Sequence, residues 1–501
     1  MADENAAKEL VKRLSKLGVL VAADVTPETL QGFSVEDIAS RLIERKISDS
    51  SFNIVNSIDI SNIIDAINLE KAPKPIEIIQ KPEYRAEASE MDAHYIIDKR
   101  EIEYSDGTID GFVSHFRSRL QRLRSIVEQH RSSLSGLITN LESLNAYSSG
   151  RDIAVIGIIS NKITTKNGNI MAVIEDETGE AKVMFMNGTN GQSKELFENA
   201  RHLVNDEVIA VKGKISGPFV IAKELVWPDV PIQMRKKVED DVAIAFISDV
   251  HVGSKFFMEK NFANFIKWTN GNNEDRNDMA SKLKYIVIGG DVVDGIGVYP
   301  NQDRELTILD IYNQYRTFFN YVSMIPEYIH VFIIPGNHDA VQRAEPQPQL
   351  TADLVGDFKM DNVHILPNPS FLTLHGIQIL AYHGTSLDSV ISAIPGMSYA
   401  SPDKPMTEIL KRRHLSPIWG GNIIVPSRND NMVMDKVPDI LHMGHVHKNC
   451  INNYHGVDII NSGTWQSTTD YQLMQGHVPS PCLVPVYETK TNKFTNLSFL
   501  K

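Results

Sequence analysis

The sequence predicts a multidomain protein that combines a small α-helical N-terminal module, a β-barrel of short strands and a large layered α/β domain. Three observations support this prediction. Apolar residues recur at helical spacing up to about residue 70, short strands separated by turn residues follow from about 148, and strongly apolar strands alternate with helical stretches beyond 238. The chain of 501 residues is also too long for a single hydrophobic core, and its length fits roughly two to four domains.

The composition is that of a globular protein outside the membrane and disulfide-rich classes. Hydrophobic residues make up 42% and charged residues 23% of the chain, and no apolar run is long enough to span a bilayer. The first ten residues are charged and lack the apolar core of a secretory signal, and two cysteines cannot supply a disulfide framework. We therefore expect a cytoplasmic protein without membrane association. The net charge of −13 disfavours a protein that binds nucleic acid by itself and favours a subunit that works beside a more basic partner.

Residues 1–70 are predicted to form a helical docking module, and residues 71–108 a linker. Ser34 and Asp37 carry the signature of a helix start. The 71–108 stretch mixes proline, charge and isolated apolar residues without a period, as linkers do. Residues 109–147 return to helical spacing, with arginines on the faces away from the apolar side. This basic surface either faces nucleic acid or is solvated while the apolar side packs on the next domain, and the second interpretation is favoured.

Residues 148–232 predict an oligonucleotide/oligosaccharide-binding (OB) barrel. Short strands separated by turn residues occupy this stretch, and a helix-compatible segment, 193–205, lies between the third and fourth strands. Such barrels often bind single strands through exposed aromatic residues on a basic face. The main aromatic residues here, Phe185 and Phe219, stand at core positions. The sequence therefore favours a structural or protein-contact barrel over a DNA-binding one.

Residues 238–501 predict a layered α/β domain whose strand ends carry metal-binding side chains. Five nearly continuous apolar runs have the composition of strands buried on both faces of a sheet, and each is followed directly by Asp, Asn or His. Ligands gather at the carboxyl ends of such strands because the loops converge there on one crevice. The five segments are Ser248-Asp249-Val250-His251, Gly289-Gly290-Asp291-Val292-Val293-Asp294, Gly336-Asn337-His338-Asp339, Tyr382-His383-Gly384 and Gly444-His445-Val446-His447.

These residue types predict a phosphoesterase site with two divalent metal ions. Phosphodiester hydrolysis is an in-line attack on an anionic phosphorus, and two cations roughly 3.5–4 Å apart can clamp the non-bridging oxygens and lower the pKa of a shared water. A mixed set of imidazole, carboxylate and carboxamide donors suits manganese, iron or zinc better than calcium, and manganese is our first expectation. The candidate ligands are Asp249, His251, Asp291, Asn337, His383, His445 and His447.

Each segment by itself has an ordinary structural explanation. A single Gly-Asn-His-Asp is often a turn, His383 before a glycine can be a capped core histidine, and Asp294 can cap a helix. The Gly-His-Val-His pair is harder to explain without a metal, because alternate residues at a strand end are seldom both histidine. The ordered set of five segments at five strand ends decides in favour of the metal site.

The five segments resemble the calcineurin-like metallophosphoesterase superfamily, which has a four-layer α/β fold and a two-metal centre. The resemblance implies one metal on Asp249, His251, Asp291 and His447, and a second on Asp291, Asn337, His383 and His445, with Asp291 as the bridge. It also implies catalytic roles for two residues that are not ligands. His338 would stabilise the transition state or protonate the leaving oxygen, and Asp294 would orient His338 as a carboxylate–imidazole pair.

The order of the parts narrows the resemblance to the small subunit of archaeal family D DNA polymerase, which is akin to the B-subunits of eukaryotic replicative polymerases. The similarity covers the chain from about residue 110 onward and includes Ser462-Gly463-Thr464-Trp465-Gln466. Eukaryotic B-subunits have lost their metal ligands, whereas every expected ligand stands here. The resemblance therefore implies a proofreading 3′–5′ exonuclease that acts on single-stranded or mismatched 3′ ends of DNA. It would work in complex with a large polymerase subunit, with a sliding clamp as a further partner.

Two other functions stay open at this point. A protein phosphatase or cyclic-nucleotide phosphodiesterase could use the same fold, although Gly295-Ile296 follows Asp294 where protein phosphatases carry Arg-Gly. The other alternative is a catalytically idle structural subunit that holds a polymerase together. The basic runs 235–237 and 411–413 could contact phosphates or be solvated, and the region 394–431 could shape the substrate site or contact a partner.

Overall fold

The computed structural model describes residues 2–30, 34–49, 52–71, 84–98, 107–130, 132–188, 191–272, 276–469, 472–473 and 476–500. Its N-terminal part contains three helices and two short parallel strands: α1 (Ala2–Ser15), β1 (Leu20–Val21), α2 (Val35–Ser48), β2 (Ile54–Val55) and α3 (Ser57–Lys71). The second helix begins where the sequence predicts, because the Ser34 side chain accepts a hydrogen bond from the Asp37 N–H (3.4 Å). Leu14 and Leu42 are buried in the small core between these helices.

Part of the segment predicted as a linker is a strand of the large domain. Within 71–108, residues 72–83 and 99–106 lie outside the described residues, but Tyr95–Asp98 form strand β3. This strand pairs antiparallel with residues 371–374 at the edge of a six-stranded sheet. The linker prediction is therefore corrected for these residues. A four-residue edge strand is too short to produce a recognisable hydrophobic period, so only its pairing identifies it.

A long helix, α4 (Ile109–His130), and a closed five-stranded barrel follow. The barrel strands pair in the order β4-β5-β6-β8-β7, and they are β4 (Asp152–Thr164), β5 (Ile170–Glu175), β6 (Glu180–Phe185), β7 (Val208–Ser216) and β8 (Phe219–Val226). Helix α5 (Gly191–Arg201) lies between the third and fourth strands, as predicted. Phe185 is buried in the barrel core, whereas Phe219 is half-buried.

In the described residues, the large domain contains two six-stranded sheets and six helices. The first sheet has the order β12-β11-β10-β9-β18-β19, and the second has the order β16-β17-β15-β14-β13-β3. The strands are β9 (Ala243–Ile247), β10 (Leu283–Gly289), β11 (His330–Ile334), β12 (Val363–Ile365), β13 (Ser370–Leu374), β14 (Ile377–Ala381), β15 (Ile440–Met443), β16 (Cys450–Tyr454), β17 (Val457–Asn461), β18 (Leu483–Glu488) and β19 (Lys493–Ser498). The helices are α6 (Glu259–Thr269), α7 (Asn277–Ser281), α8 (Ile311–Val322), α9 (Ala352–Val355), α10 (Leu387–Ala393) and α11 (Asp403–Arg412).

These elements stack in four layers, with the two sheets face to face and helices on both outer faces. Phe246 of the first sheet and Ile379 of the second belong to one buried cluster between the sheets. Phe318 of α8 packs on the outer face of the first sheet, and Ile409 of α11 packs on the second. Strands β9, β10 and β11 are parallel, and so are β14, β15 and β17. Their carboxyl ends therefore meet at one rim of the domain, where the loops between strands and helices converge.

Buried ion pairs join α4 to the large domain. Leu120 and Leu123 of α4 pack on the barrel, as the apolar side was predicted to do. Arg119, on the side predicted to be solvated, is instead fully buried. Its Nε lies 2.7 Å from Asp430 Oδ2, and its Nη1 donates to the Asp206 carbonyl (3.0 Å). An arginine inside the domain junction cannot also contact a DNA phosphate.

The basic run 411–413 is also structural. The guanidinium of Arg412 is buried, with its Nε 2.7 Å from Glu207 Oε2 of the barrel, and Arg413 donates from its Nε to the Met434 carbonyl (2.8 Å). Lys411 stacks over the Trp227 ring at 3.8 Å. Neither interpretation offered for this run, solvation or phosphate contact, describes these residues. The three residues of this run connect the barrel to the 394–431 region of the large domain.

Candidate metal centre

The ligand loops begin in strained backbone. Five of the seven candidate ligands have a positive φ: Asp249 (52°), His251 (54°), Asp291 (52°), His445 (67°) and His447 (55°). Residues with side chains rarely adopt this left-handed conformation, which costs on the order of 1–3 kcal/mol for each residue. It allows the chain to turn sharply at the end of a strand. Strain of this kind persists only where the surrounding structure holds it, and it is concentrated at functional sites.

One group of donors surrounds the end of β9. Asp249, His251 and His447 are buried, and their donor atoms lie within 4.8 Å of one another. The Nε2 atoms of His251 and His447 are 3.1 Å apart, and His447 Nε2 is 3.3 Å from Asp249 Oδ1. Asp291 Oδ2 lies 3.9 Å from His251 Nε2. These four side chains are the set predicted to hold the first metal.

The second predicted set shares Asp291 with the first. His383 Nε2 is 3.3 Å from Asp291 Oδ2 and 2.9 Å from Asn337 Oδ1. His445 Nδ1 is also 2.9 Å from Asn337 Oδ1. The structure thus brings all seven predicted ligands into one crevice at the carboxyl rim, with Asp291 between the two sets.

Three of the histidines use one ring nitrogen for a hydrogen bond directed away from the crevice. His251 donates its Nδ1–H to Asp294 Oδ1 (3.0 Å), and His383 donates its Nδ1–H to the Gly289 carbonyl (2.8 Å). His445 donates its Nε2–H to Asp388 Oδ2 (2.9 Å). The opposite nitrogen of each ring faces an oxygen of another predicted ligand, which is Asp291 for His251, Asp291 and Asn337 for His383, and Asn337 for His445. Each of these contacts needs positive charge, supplied by a ring proton in the free protein or by a metal ion that displaces it, and outward N–H bonds of this kind orient histidine ligands in metal sites.

The electrostatics of the site also require positive charge. Burial alone would lower the pKa of His383, but the Asp291 carboxylate outweighs it and raises that pKa to about 10. Burial likewise opposes the charged form of His251, yet the hydrogen bond to Asp294 and the nearby carboxylates raise its pKa to about 9. Burial would raise the pKa of Asp291, but the surrounding histidines hold it well below its usual range. The donors present fit two divalent ions of the manganese, iron or zinc type.

His338 lies beside the donors, but the predicted pairing with the Asp294 carboxylate is wrong. The His338 Nδ1–H donates to the backbone carbonyl of Asp294 (2.8 Å). The Asp294 carboxylate instead accepts from His251 Nδ1 and from the side-chain amides of Gln302 (3.0 Å) and Gln466 (3.2 Å). His251 stands 43 positions away in the chain, so spacing alone could not reveal which ring the carboxylate meets. The Asp294 carboxylate therefore positions His251, a predicted ligand, and the Asp294 carbonyl orients His338.

Two supporting carboxylates were not assigned roles from the sequence. Asp388, at the start of α10, fixes His445 as described and accepts from the Tyr399 hydroxyl (2.9 Å). Asp339 is buried and accepts from the Gly336 N–H (2.8 Å) and the Tyr315 hydroxyl (3.0 Å). Burial raises the pKa of Asp339 to about 7. Its place in the Gly-Asn-His-Asp segment was a signal that it belongs to the site, whereas nothing in the sequence marked Asp388.

Comparison with known proteins agrees with this geometry. The calcineurin-like phosphoesterase family profile matches residues 242–481. The DNA polymerase II small subunit of Methanothermobacter thermautotrophicus is 34% identical over 497 residues, which cover 98% of this chain and 100% of that protein. The chain belongs to this family of small subunits. The family member from Archaeoglobus fulgidus is 37% identical over 449 residues, 88% of each chain. That from Methanocaldococcus jannaschii is 40% identical over 388 residues, which cover 76% of this chain and 64% of its own length.

Membership of this family confirms the resemblance to the small subunit of archaeal family D DNA polymerase. The profile match confirms the calcineurin-like phosphoesterase domain, and a domain of this family implies bound divalent metal ions. In the part of the chain that the structure describes, none of the helices combines the length and the apolar character needed to traverse a bilayer.

Proposed function

We propose that this chain is the proofreading subunit of a family D DNA polymerase, a metal-dependent 3′–5′ exonuclease that hydrolyses DNA phosphodiesters with two manganese ions. The observation that carries the proposal is the arrangement of His251, His383 and His445. Each ring donates one N–H away from the crevice, and its other nitrogen faces carboxylate or carboxamide oxygens that need positive charge between them. A crevice lined in this way is suited to cations and would be unstable as a plain protein core.

The strained ligand backbone favours an active enzyme over an idle structural subunit. Five left-handed ligand residues together cost several kcal/mol. A subunit that only held other proteins together would gain nothing from this strain, and ordinary turns would serve at the same strand ends. In an active enzyme the strained backbone has a function, because it directs donors from separate strands towards two shared metal positions.

The ligand sets would divide between the two ions as the resemblance implies. When bound, the ions would clamp the scissile phosphate and lower the pKa of an attacking water. Asp249, His251, Asp291 and His447 would hold one ion, and Asp291, Asn337, His383 and His445 the other.

His338 would act on the leaving-group side of the phosphate. Its backbone N–H donates to Asp291 Oδ1 (2.8 Å), and its Nδ1–H donates to the Asp294 carbonyl. These bonds hold the residue in place, and among the described residues none hydrogen-bonds to its Nε2. Burial lowers the pKa of His338 against the pull of Asp291. Transfer of a proton to the departing 3′ oxygen needs the imidazolium form, which the negative charge of a bound phosphate would favour.

The proposal extends to partners and to the remaining domains. The names of the related proteins support a large catalytic polymerase subunit as the main partner. We propose single-stranded or mismatched 3′ ends of DNA as the substrate, a sliding clamp as a further contact and the cytoplasm as the place of action. The barrel, with a helix before its fourth strand, would be of the OB type, and the N-terminal helices would form a separate docking module.

The test compares His338→Ala with a matched control, His130→Ala, at the exposed end of α4. Each chain is purified with its large subunit and given a labelled primer with a mismatched 3′ end and Mn²⁺. We expect nucleotide release to fall about 10²–10⁴-fold in His338→Ala, the usual contribution of a general acid. The control should match the wild type, and circular dichroism should show both variants folded.

The same assay separates the alternatives. If wild-type protein shows no metal-stimulated release even with the large subunit present, the structural subunit is correct and the exonuclease proposal fails. If it hydrolyses small phosphate esters or cyclic nucleotides and leaves the primer intact, the chain is a phosphatase or phosphodiesterase. Undiminished release by His338→Ala would refute the role given to that histidine.

A further inference from the structure

A second group of metal-binding side chains lies at the opposite end of the sheets. His94, Asp240 and His375 offer donor atoms that all lie within 4.8 Å of one another. The His375 ring contacts the Tyr285 ring (5.5 Å between centroids) near the start of β10, whereas Asp291 of the catalytic crevice follows the end of that strand. The two places are roughly 20 Å apart along β10. No residue of this group belongs to the crevice.

The backbone of all three residues is held in place. The His375 N–H donates to the His94 carbonyl (2.8 Å), and the His94 N–H donates to the Tyr285 hydroxyl (2.9 Å). His375 also stands in the tight turn between β13 and β14, with a φ of 44°. The Asp240 carbonyl accepts from the Thr489 hydroxyl (2.5 Å). Binding a ligand here would therefore order only the side chains of the exposed His94 and the half-exposed Asp240, and little conformational entropy would be lost.

The His375 imidazole is incompletely satisfied. Its side chain is 1% exposed, its Nδ1 lies 2.8 Å from Asp240 Oδ2, and its Nε2 has no hydrogen-bond partner among the described residues. If Nδ1 carries the proton, the buried Nε2 lone pair has no donor. If Nε2 carries the proton, the Nδ1 lone pair faces a carboxylate. A cation shared by Nδ1 and the carboxylate would remove the repulsion of the second form, and the Nε2–H would still lack an acceptor among the described residues.

We propose that His94, Asp240 and His375 form a third divalent-metal site, of the zinc type, separate from the catalytic pair. Two imidazoles and one carboxylate are zinc ligands, and water can complete a tetrahedral shell. Calcium and magnesium prefer shells of oxygen, so they fit this set poorly. Ligand atoms of tetrahedral zinc lie about 3.4 Å apart. The present donors lie within 4.8 Å of one another, and His375 Nδ1 and Asp240 Oδ2, now 2.8 Å apart, would have to separate slightly to admit the ion.

The site would join three segments that are distant in sequence. His94 immediately precedes β3, Asp240 lies between the barrel and β9, and His375 forms the β13–β14 turn. Among the described strands, β3 lies at the edge of its sheet and pairs with β13 alone. A metal at this position would anchor the start of β3 to the large domain beside that pairing partner. The role is structural, and it does not depend on the function proposed for the catalytic crevice.

The test uses the full chain with the catalytic ligands disabled by Asp249→Asn and Asp291→Asn. In this background we expect Zn²⁺ to raise the melting temperature and to remain bound at one equivalent per chain after dialysis, measured by mass spectrometry. Adding His94→Gln should abolish both effects, and His94→Cys should restore them because a thiolate is a strong zinc ligand. His130→Gln is the matched control and should change neither effect.

Two results would overturn the proposal. The first is equal zinc content and equal thermal shift with and without His94→Gln. The second is absence of any zinc effect in the background chain while circular dichroism shows it folded. His94 is exposed, so its substitution is not expected to prevent folding, and either result would be unambiguous.

Discussion

Removal of the buried charge of Asp430 is predicted to destabilise the junction between α4, the barrel and the large domain. The carboxylate is 0% exposed and lies 2.7 Å from Arg119 Nε, 2.8 Å from His414 Nε2 and 3.2 Å from His115 Nε2. Asp430→Asn would leave the Arg119 guanidinium buried without a counter-charge. Breaking a buried pair from one side costs about 3–5 kcal/mol, which is a large fraction of the roughly 5–15 kcal/mol that stabilises a typical domain.

Urea unfolding at pH 7, followed by circular dichroism, measures this cost as a shift of the midpoint at constant slope. The double variant Arg119→Met with Asp430→Asn should be less destabilised than the single Asp430→Asn, because no unpaired charge then remains buried. Asp152→Asn is the control. It removes an ion pair with Lys223 in which both side chains are about half exposed, and we expect it to leave the midpoint unchanged.

The effect should also depend on pH in a defined direction. Burial opposes ionisation of Asp430, but His414 and Arg119 outweigh it and hold its pKa well below the usual range. A carboxylate with a depressed pKa stabilises the fold above its unfolded value of about 3.9, and this stabilisation is lost as the pH falls below it. The difference between wild type and Asp430→Asn should therefore shrink below about pH 4. A cost under about 1 kcal/mol at pH 7 would refute the reasoning.

Three further predictions concern the metal centre. The pKa values of His251 and His383 are raised to about 9 and about 10 in the metal-free chain. Metal binding at pH 7 should therefore release about two protons, and metal affinity should increase as the pH rises. Calorimetry in two buffers counts the released protons, and a count of zero would contradict these electrostatics. Asp388→Asn should weaken metal affinity about 10–100-fold, because His445 loses the carboxylate that fixes its ring. An unchanged Mn²⁺ affinity in titrations would show that Asp388 does not position His445. Gly336→Ala places a Cβ 2.2 Å from Asp291 Oδ1, the carboxylate proposed to bridge the two ions, and should reduce bound metal. Gly179→Ala, with its nearest neighbour at 3.7 Å, should not. Equal metal content in both variants would count against the importance of this close approach.

The amino-acid sequence determined the order of the parts and the identity of the candidate ligands. Strands such as β9 and β10 are buried on both faces, so their apolar runs are visible locally. Ligand chemistry depends on residue type, and parallel strands with common carboxyl ends bring such residues together without further information. For this reason Asp249, Asn337 and His447 could be predicted to converge although they are far apart in the chain.

The tertiary structure alone decided which partner each polar group meets. The Asp294 carboxylate bonds to His251 and not to His338, and Arg119 pairs with Asp430 across 311 positions inside the junction. The edge strand β3 is defined only by its pairing. Side-chain type determines what a group can bind, but the choice among distant candidates depends on the angles and distances set by packing. Those quantities do not exist until the layers have assembled.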